Sequence, residues 1–195
     1  MPRLAFVRDD HEAGHLTLVR RLAATRGPRW GGCTLVAVDG PSGSGKSTYA
    51  VGLAQATGGH VLHVDDMHQG WTMLAGSIHL VRQLLMDPVR LGEPAAYPTW
   101  DWERDLRGPD VPVAPRPLVV LEGVGAMVVA EDLASASIWV EAPEPVRYRR
   151  TMSRDGLMDG RWAQWAAQER AIYARNQTRA RADIVIDTGP ARLTP

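Results

Sequence analysis

The chain has 195 residues, of which 45% are hydrophobic and 23% charged, with 22 basic and 22 acidic side chains and a formal net charge of +0. That composition suits one globular domain with a sizeable core. The charge balance argues against a general nucleic-acid binder or a polybasic membrane-surface protein, and a single cysteine, Cys33, excludes an internal disulfide or a cysteine-rich metal site.

Residues 1–32 read as an N-terminal helical extension, with Leu16, Val19 and Leu22 marking an amphipathic helix over 11–26 that Gly27, Pro28 and Gly31-Gly32 end. Residues 1–10 lack the hydrophobic region of a signal peptide. Thr34 to Asp39 is a β-branched first strand, and Lys46 to Thr57 a helix closed by Gly58-Gly59. His60 to Val64 is the second strand, and residues 76–87 a helix expected to stop before Pro88. Residues 88–117, rich in Pro and Gly, read as a long irregular loop facing an acceptor. Leu118 to Leu121 is the third strand, Ser137 to Glu141 the fourth and Ile184 to Asp187 the last, with helices over 144–154 and 160–181 and a lid-like segment at 150–162. Strands alternating with helices predict one domain over 1–195, a three-layer α/β sandwich whose five-stranded parallel sheet carries helices on both faces. The longest apolar stretch, 117–130, is broken by Glu122 and is too short to span a bilayer, so the cytoplasm is the expected compartment.

Gly40-Pro41-Ser42-Gly43-Ser44-Gly45-Lys46-Ser47, followed by Thr48, fits G-x-x-x-x-G-K-[ST] between a strand and a helix. Glycines let the main chain approach oxygen atoms closely, and the loop amides and helix N-terminus direct positive dipoles at phosphates. Lys46, the only lysine in the chain, supplies an ammonium for the β- and γ-phosphates, and the Ser47 hydroxyl a ligand for Mg²⁺. The expected ligand is ATP with Mg²⁺: a GTPase would carry N-K-x-D, which is absent.

Asp65 and Asp66 end the second strand, where ligands bind in open α/β sheets. Asp65 can accept a hydroxyl proton or hold Mg²⁺, and Asp66 can do the same or cap a helix. Glu122, ending the third strand, is a further metal candidate. Arg147, Arg150 and Arg154 share a helix face. Arg150 and Arg154 are expected to stabilise phosphoryl charge, with Arg147 and Arg149 on the surface. Trp71, Trp100 and Trp102 suit either stacking on an acceptor ring or a core, and His63 and His68 read as strand-end or surface histidines.

The run Val38 to Thr48, the Asp after the second strand, Trp100-Asp101-Trp102, Leu121-Glu122-Gly123 and Arg150-x-x-x-Arg154-Asp155 together resemble the uridine kinase-like family over about residues 34–187. The resemblance implies transfer of the γ-phosphoryl group of ATP to a small-molecule hydroxyl, a uridine- or cytidine-like nucleoside being favoured. It implies Asp65 as general base and Mg²⁺ neighbour and Ser47 and Glu122 as the rest of the metal environment. Arg150, Arg154 and Arg161 would clamp the phosphates, and Gly189-Pro190 would pass near the adenine. Asp66, His68, Tyr97, Trp100, Asp101, Trp102 and Arg104 become the candidate substrate residues. Four features depart from the family. Asp66-Met67-His68 replaces Ser-Phe-Tyr, the β-hairpin region that reads the pyrimidine is shortened, Glu103-Arg104 stands where a His is usual, and the lid between Arg154 and Arg161 is short. All four bear on the acceptor, and leave open a nucleotide, a pantothenate-like or sugar-like molecule, or an ATP-binding regulator without transfer. An acceptor carrying phosphate would give Arg104 and Arg107 a role. Oligomeric state is not legible in the sequence.

Overall fold

The computed structural model describes residues 5–8, 12–156 and 159–190. In chain order these form β1 (Ala5–Arg8), α1 (Glu12–Arg26), β2 (Thr34–Asp39), α2 (Lys46–Thr57), β3 (His60–His63), α3 (Leu74–Val81), α4 (Asp87–Leu91), β4 (Ala95–Asp101) and β5 (Leu106–Val113). There follow β6 (Leu118–Glu122), α5 (Ala126–Ala130), β7 (Ala136–Glu141), α6 (Glu144–Asp155), α7 (Asp159–Asn176), α8 (Thr178–Arg181) and β8 (Ile184–Asp187). The five expected strands pair in parallel, and β1 adds a sixth at the edge beside β8, giving the order β1-β8-β7-β2-β6-β3. The segment 1–32 is therefore not purely helical.

Alternation along the central strands decides the layering. Leu35, Ala37, Val119 and Leu121 face one side and pack under Leu74 and Ile78 of α3, Val129 of α5 and Trp165 of α7. Val36, Val38, Val120 and Ile138 face the other, covered by Val19 of α1 and Ala50 and Leu53 of α2. Burial on both faces is what a parallel sheet requires, and the result is the expected three-layer α/β sandwich. Among the described residues no helix is long and apolar enough to cross a membrane.

Three local expectations are corrected. The helix before Pro88 does not stop there: α3 runs into a π-helical turn at Arg82–Met86 and then into α4, ending at Gly92. The π turn shifts the register so that Pro88 falls in the first turn of α4, where its missing N–H is not needed. Trp30, 1% exposed, secures this region by donating from Nε1 to Met86 O at 3.0 Å. Much of 88–117 is not irregular but an antiparallel hairpin, β4 with β5, bulged between Pro98 and Trp100. Its prolines misled because a two-stranded ribbon has two outer edges where a missing N–H costs nothing. Finally, the helix over 160–181 divides at Gln177, which has φ 49°.

Candidate active site

The sheet order reverses at β2, flanked by β7 and β6, and open α/β sheets bind ligands at such a point. The chain leaving β2 folds as a compact loop over 40–45 and enters α2 at Lys46. Gly43 (φ 77°) and Gly45 (φ 93°) hold left-handed conformations, and a Cβ on Gly43 would lie 2.4 Å from Arg147 O. Ser44 is buried with no hydrogen-bond partner for its Oγ.

Lys46 is 5% exposed, and its Nζ lies 3.6 Å from Asp65 Oδ2. Burial alone would lower its pKa, but Asp65, Glu122, Glu169 and Asp39 raise it, so the ammonium stays charged. Asp65 is the second residue of the 3₁₀ turn Val64–Met67 after β3 and accepts from Val124 N at 2.8 Å. Desolvation pushes its pKa up, but Lys46, His68 and the Val124 amide outweigh it and hold the carboxylate below its usual range. Ser47 Oγ donates to Glu122 Oε2 at 3.2 Å, and the other oxygen of Glu122 is bonded by His63 Nδ1. That hydrogen bond raises the His63 pKa. Among the described residues no three His, Cys, Asp or Glu side chains form a self-sufficient metal cage. A serine beside a carboxylate nevertheless suits Mg²⁺, which takes few protein ligands and completes its shell with phosphate and water oxygens.

Three elements hold this machinery in place. Asp39, fully buried at the end of β2, accepts from Gly40 N (2.7 Å), Gly125 N (3.0 Å), Tyr173 Oη (2.9 Å) and, on its other oxygen, Met127 N (2.9 Å). Desolvation still raises its pKa to about 6. Glu169 of α7 accepts from Ser42 N and Oγ at 2.9 and 2.6 Å. Arg147 is not a surface residue: it is 9% exposed and donates to Ser42 O (3.1 Å) and Ala142 O (3.2 Å), bracing the loop from α6.

A cavity of about 620 Å³ opens beside the loop, lined by Ser42, Asp65, Trp71, Trp102, Arg154, Arg161, Trp162 and Trp165 among others. Trp71, Trp102 and Trp165 meet edge to face with centroids 4.7 to 6.1 Å apart. Arg161 lies over the Trp71 ring at 5.3 Å. Trp102 Nε1 donates to the main-chain Asp65 O at 3.2 Å, linking the aromatic wall to the backbone of that residue. A second cavity, about 570 Å³, is lined by Gly45, Thr48, Tyr49, Arg150, Thr188 and parts of α1. Thus the two expected arginines separate. Arg150 donates to Thr188 Oγ1 and O at 2.9 and 2.8 Å beside the second cavity, whereas Arg154 lines the first and pairs with Asp155.

The candidate substrate residues divide as well. Trp102 lines the first cavity; His68, Tyr97, Trp100, Asp101 and Arg104 do not. His68 is neither a surface residue nor within reach of a ligand. It is 0% exposed, bonded by Nε2 to Val124 O at 3.0 Å and lying 3.7 Å from Asp65 Oδ1. Tyr97 is buried in the core, and Asp66 lies outside the cavity lining, near His63. Asp101 Oδ1 caps the hairpin turn by accepting from Glu103 N and Arg104 N, Arg104 is 79% exposed, and Trp100 Nε1 turns to Asp105. Arg107 pairs with Asp110 on the hairpin. Sequence reading missed Asp39, Glu169, Tyr173 and Trp165. Arg161, Trp165, Glu169 and Tyr173 recur every four residues, the spacing of one helix face, and that was the available signal.

No protein-family profile matches the chain, and no curated protein matches it. Solved structures do. A possible uridine kinase from Bacillus stearothermophilus is 18% identical with a TM-score of 0.62, covering 90% of this chain and 98% of that one. A structure from Silicibacter provisionally assigned as a fructose transport system kinase is 27% identical with a TM-score of 0.58, covering 87% and 98%. The chain has the fold of the uridine kinase-like P-loop kinases.

Proposed function

We propose that this protein is an ATP-dependent phosphotransferase that moves the γ-phosphoryl group to a hydroxyl of a small, ring-bearing molecule, a nucleoside in the favoured reading. One observation carries it: the Asp65 carboxylate lies 3.6 Å from the Lys46 ammonium and also forms part of the wall of the indole-lined cavity. A hydroxyl in that cavity meets its proton acceptor and the phosphate-binding cation together.

Lys46 and the loop amides hold the β- and γ-phosphates, and the cavity beside Arg150 and Thr188 receives the base. Asp65, ionised at neutral pH, orients the acceptor hydroxyl and takes its proton as the new oxygen–phosphorus bond forms and the γ-phosphorus bond to the bridging oxygen breaks, releasing ADP. Arg154 stands at the cavity wall to offset charge on the transferring group. Ser47 and Glu122 would hold Mg²⁺, which neutralises phosphate charge when bound. The indole walls supply flat apolar faces and exclude water. A cavity of this size beside the loop favours transfer over a regulator with no acceptor site.

A sugar acceptor is the second reading. It is favoured by the likeness to the Silicibacter protein and by indole faces, which also suit the C–H faces of a sugar. Arg104 and Arg107, the arginines that would serve a phosphate-bearing acceptor, pair with Asp101 and Asp110 and do not line the cavity, which weakens that reading. The test is a thermal-shift screen of nucleosides, sugars and pantothenate-like molecules with a non-hydrolysable ATP analogue present. A nucleoside that raises the melting temperature only with the analogue supports the favoured reading, and a sugar that does so alone supports the second. If no acceptor in any class shifts it, the transfer reading fails.

A further inference from the structure

We propose that helix α7 couples the donor loop to the acceptor cavity, with the adjacent residues Glu169 and Gln168 as the two positioning contacts; this rests on the phosphotransfer reading. Glu169, 2% exposed, grips the loop through both the amide and the hydroxyl of Ser42, 127 residues earlier. Gln168 grips the other side. Its Nε2 donates to Trp71 O at 2.7 Å and its Oε1 accepts from Leu74 N at 3.3 Å. The segment it holds carries the indole of Trp71.

Successive residues on a helix point about 100° apart, so a single turn of α7 reaches both loops. The turns on either side continue the pattern. Trp165 lines the cavity and packs against Trp71, and Tyr173 holds Asp39, the residue before the loop begins. A helix moves as a stiff body, so nucleotide that shifts the Ser42 end also shifts the Trp71 end. Glu169 and Gln168 touch neither subsite's reacting atoms; they act through Ser42 and through the Trp71 backbone.

The test uses the full chain with Mg²⁺ and AMP-PNP, reading the Kd by calorimetry and the change in tryptophan emission on binding. Glu169→Ala is expected to weaken AMP-PNP about tenfold, the effect of losing hydrogen bonds to a charged group, while Glu169→Gln, which keeps an acceptor oxygen for Ser42, stays within about threefold. Gln168→Ala is expected to bind AMP-PNP within about twofold of the native chain yet lose most of the emission response. Loss of the native response in Trp71→Phe assigns that signal to the cavity. Melting curves establish that each variant is folded. The coupling is overturned if folded Glu169→Ala binds as tightly as the native chain, or if Gln168→Ala keeps the full response. A native chain that binds no AMP-PNP overturns the phosphotransfer reading itself, and that result is distinct from either of these.

Discussion

Lys46 Nζ and Asp65 Oδ2 stand 3.6 Å apart, and they come from two different strand ends. Lys46 follows β2 through the loop over 40–45, and Asp65 follows β3 at the sheet edge. Strand β6 lies between β2 and β3 and carries Glu122, so three neighbouring strands deliver one ammonium and two carboxylates to one edge.

Asp65→Asn should separate binding from transfer. The asparagine Oδ1 can still accept from Val124 N, so the turn persists. Transfer is expected to fall about 10²- to 10⁴-fold, the range for loss of a general base. The Kd for AMP-PNP should stay within a few-fold. Single-turnover kinetics alongside calorimetry measure both; a variant that keeps near-native transfer would remove Asp65 from the chemistry.

Gly43→Ala should abolish nucleotide binding. The new methyl would sit 2.4 Å from Arg147 O at a left-handed backbone position, so the loop must distort. Gly14→Ala, in α1 with nothing within 4 Å, is the matched control and should leave binding unchanged.

Asp39 predicts a pH dependence of stability. Its folded pKa, about 6, lies above the usual carboxylate value because desolvation dominates. A raised folded pKa contributes stability that is present below the unfolded value and lost as pH rises through the folded one. Between about pH 4 and pH 7 the unfolding free energy should therefore fall by an amount on the order of 3 kcal/mol from this group. Asp39→Asn should be less stable throughout, since its amide would face N–H donors, and should lack this component. Denaturant midpoints of the two proteins across that range check it, and parallel profiles would contradict it.

Trp102→Ala should raise the KM for the acceptor about tenfold and change the KM for ATP little, because stacking on an indole is worth about 1–3 kcal/mol. Trp100→Ala should alter neither, since Trp100 turns to Asp105 outside the cavity. Steady-state kinetics with the acceptor found by the screen distinguish the two tryptophans.

What the sequence disclosed was whatever a few consecutive residues determine. The loop over 40–45, Asp65 and Glu122 sit at strand ends marked by their own neighbours, and the structure places all three at one edge of the sheet. By spacing, Trp100 and Trp102 would share one side of an extended segment. The strand instead ends at Asp101, whose carboxylate caps a turn that carries Trp102 into the cavity and leaves Trp100 outside. Arg147 and His68 are polar residues whose partners, Ser42 O and Val124 O, lie 105 and 56 residues away, so their burial had no local signature. The same distance hid Glu169 and Asp39.

The central claim is transfer of a phosphoryl group from ATP to a hydroxyl in the indole-lined cavity. Phosphorus NMR of the purified chain with ATP, Mg²⁺ and the acceptor that stabilises it tests this most directly. A new phosphate-ester resonance growing in step with ADP, and absent with Asp65→Asn, is the predicted result. ATP that stays intact, or that yields only inorganic phosphate with the acceptor present, would contradict it.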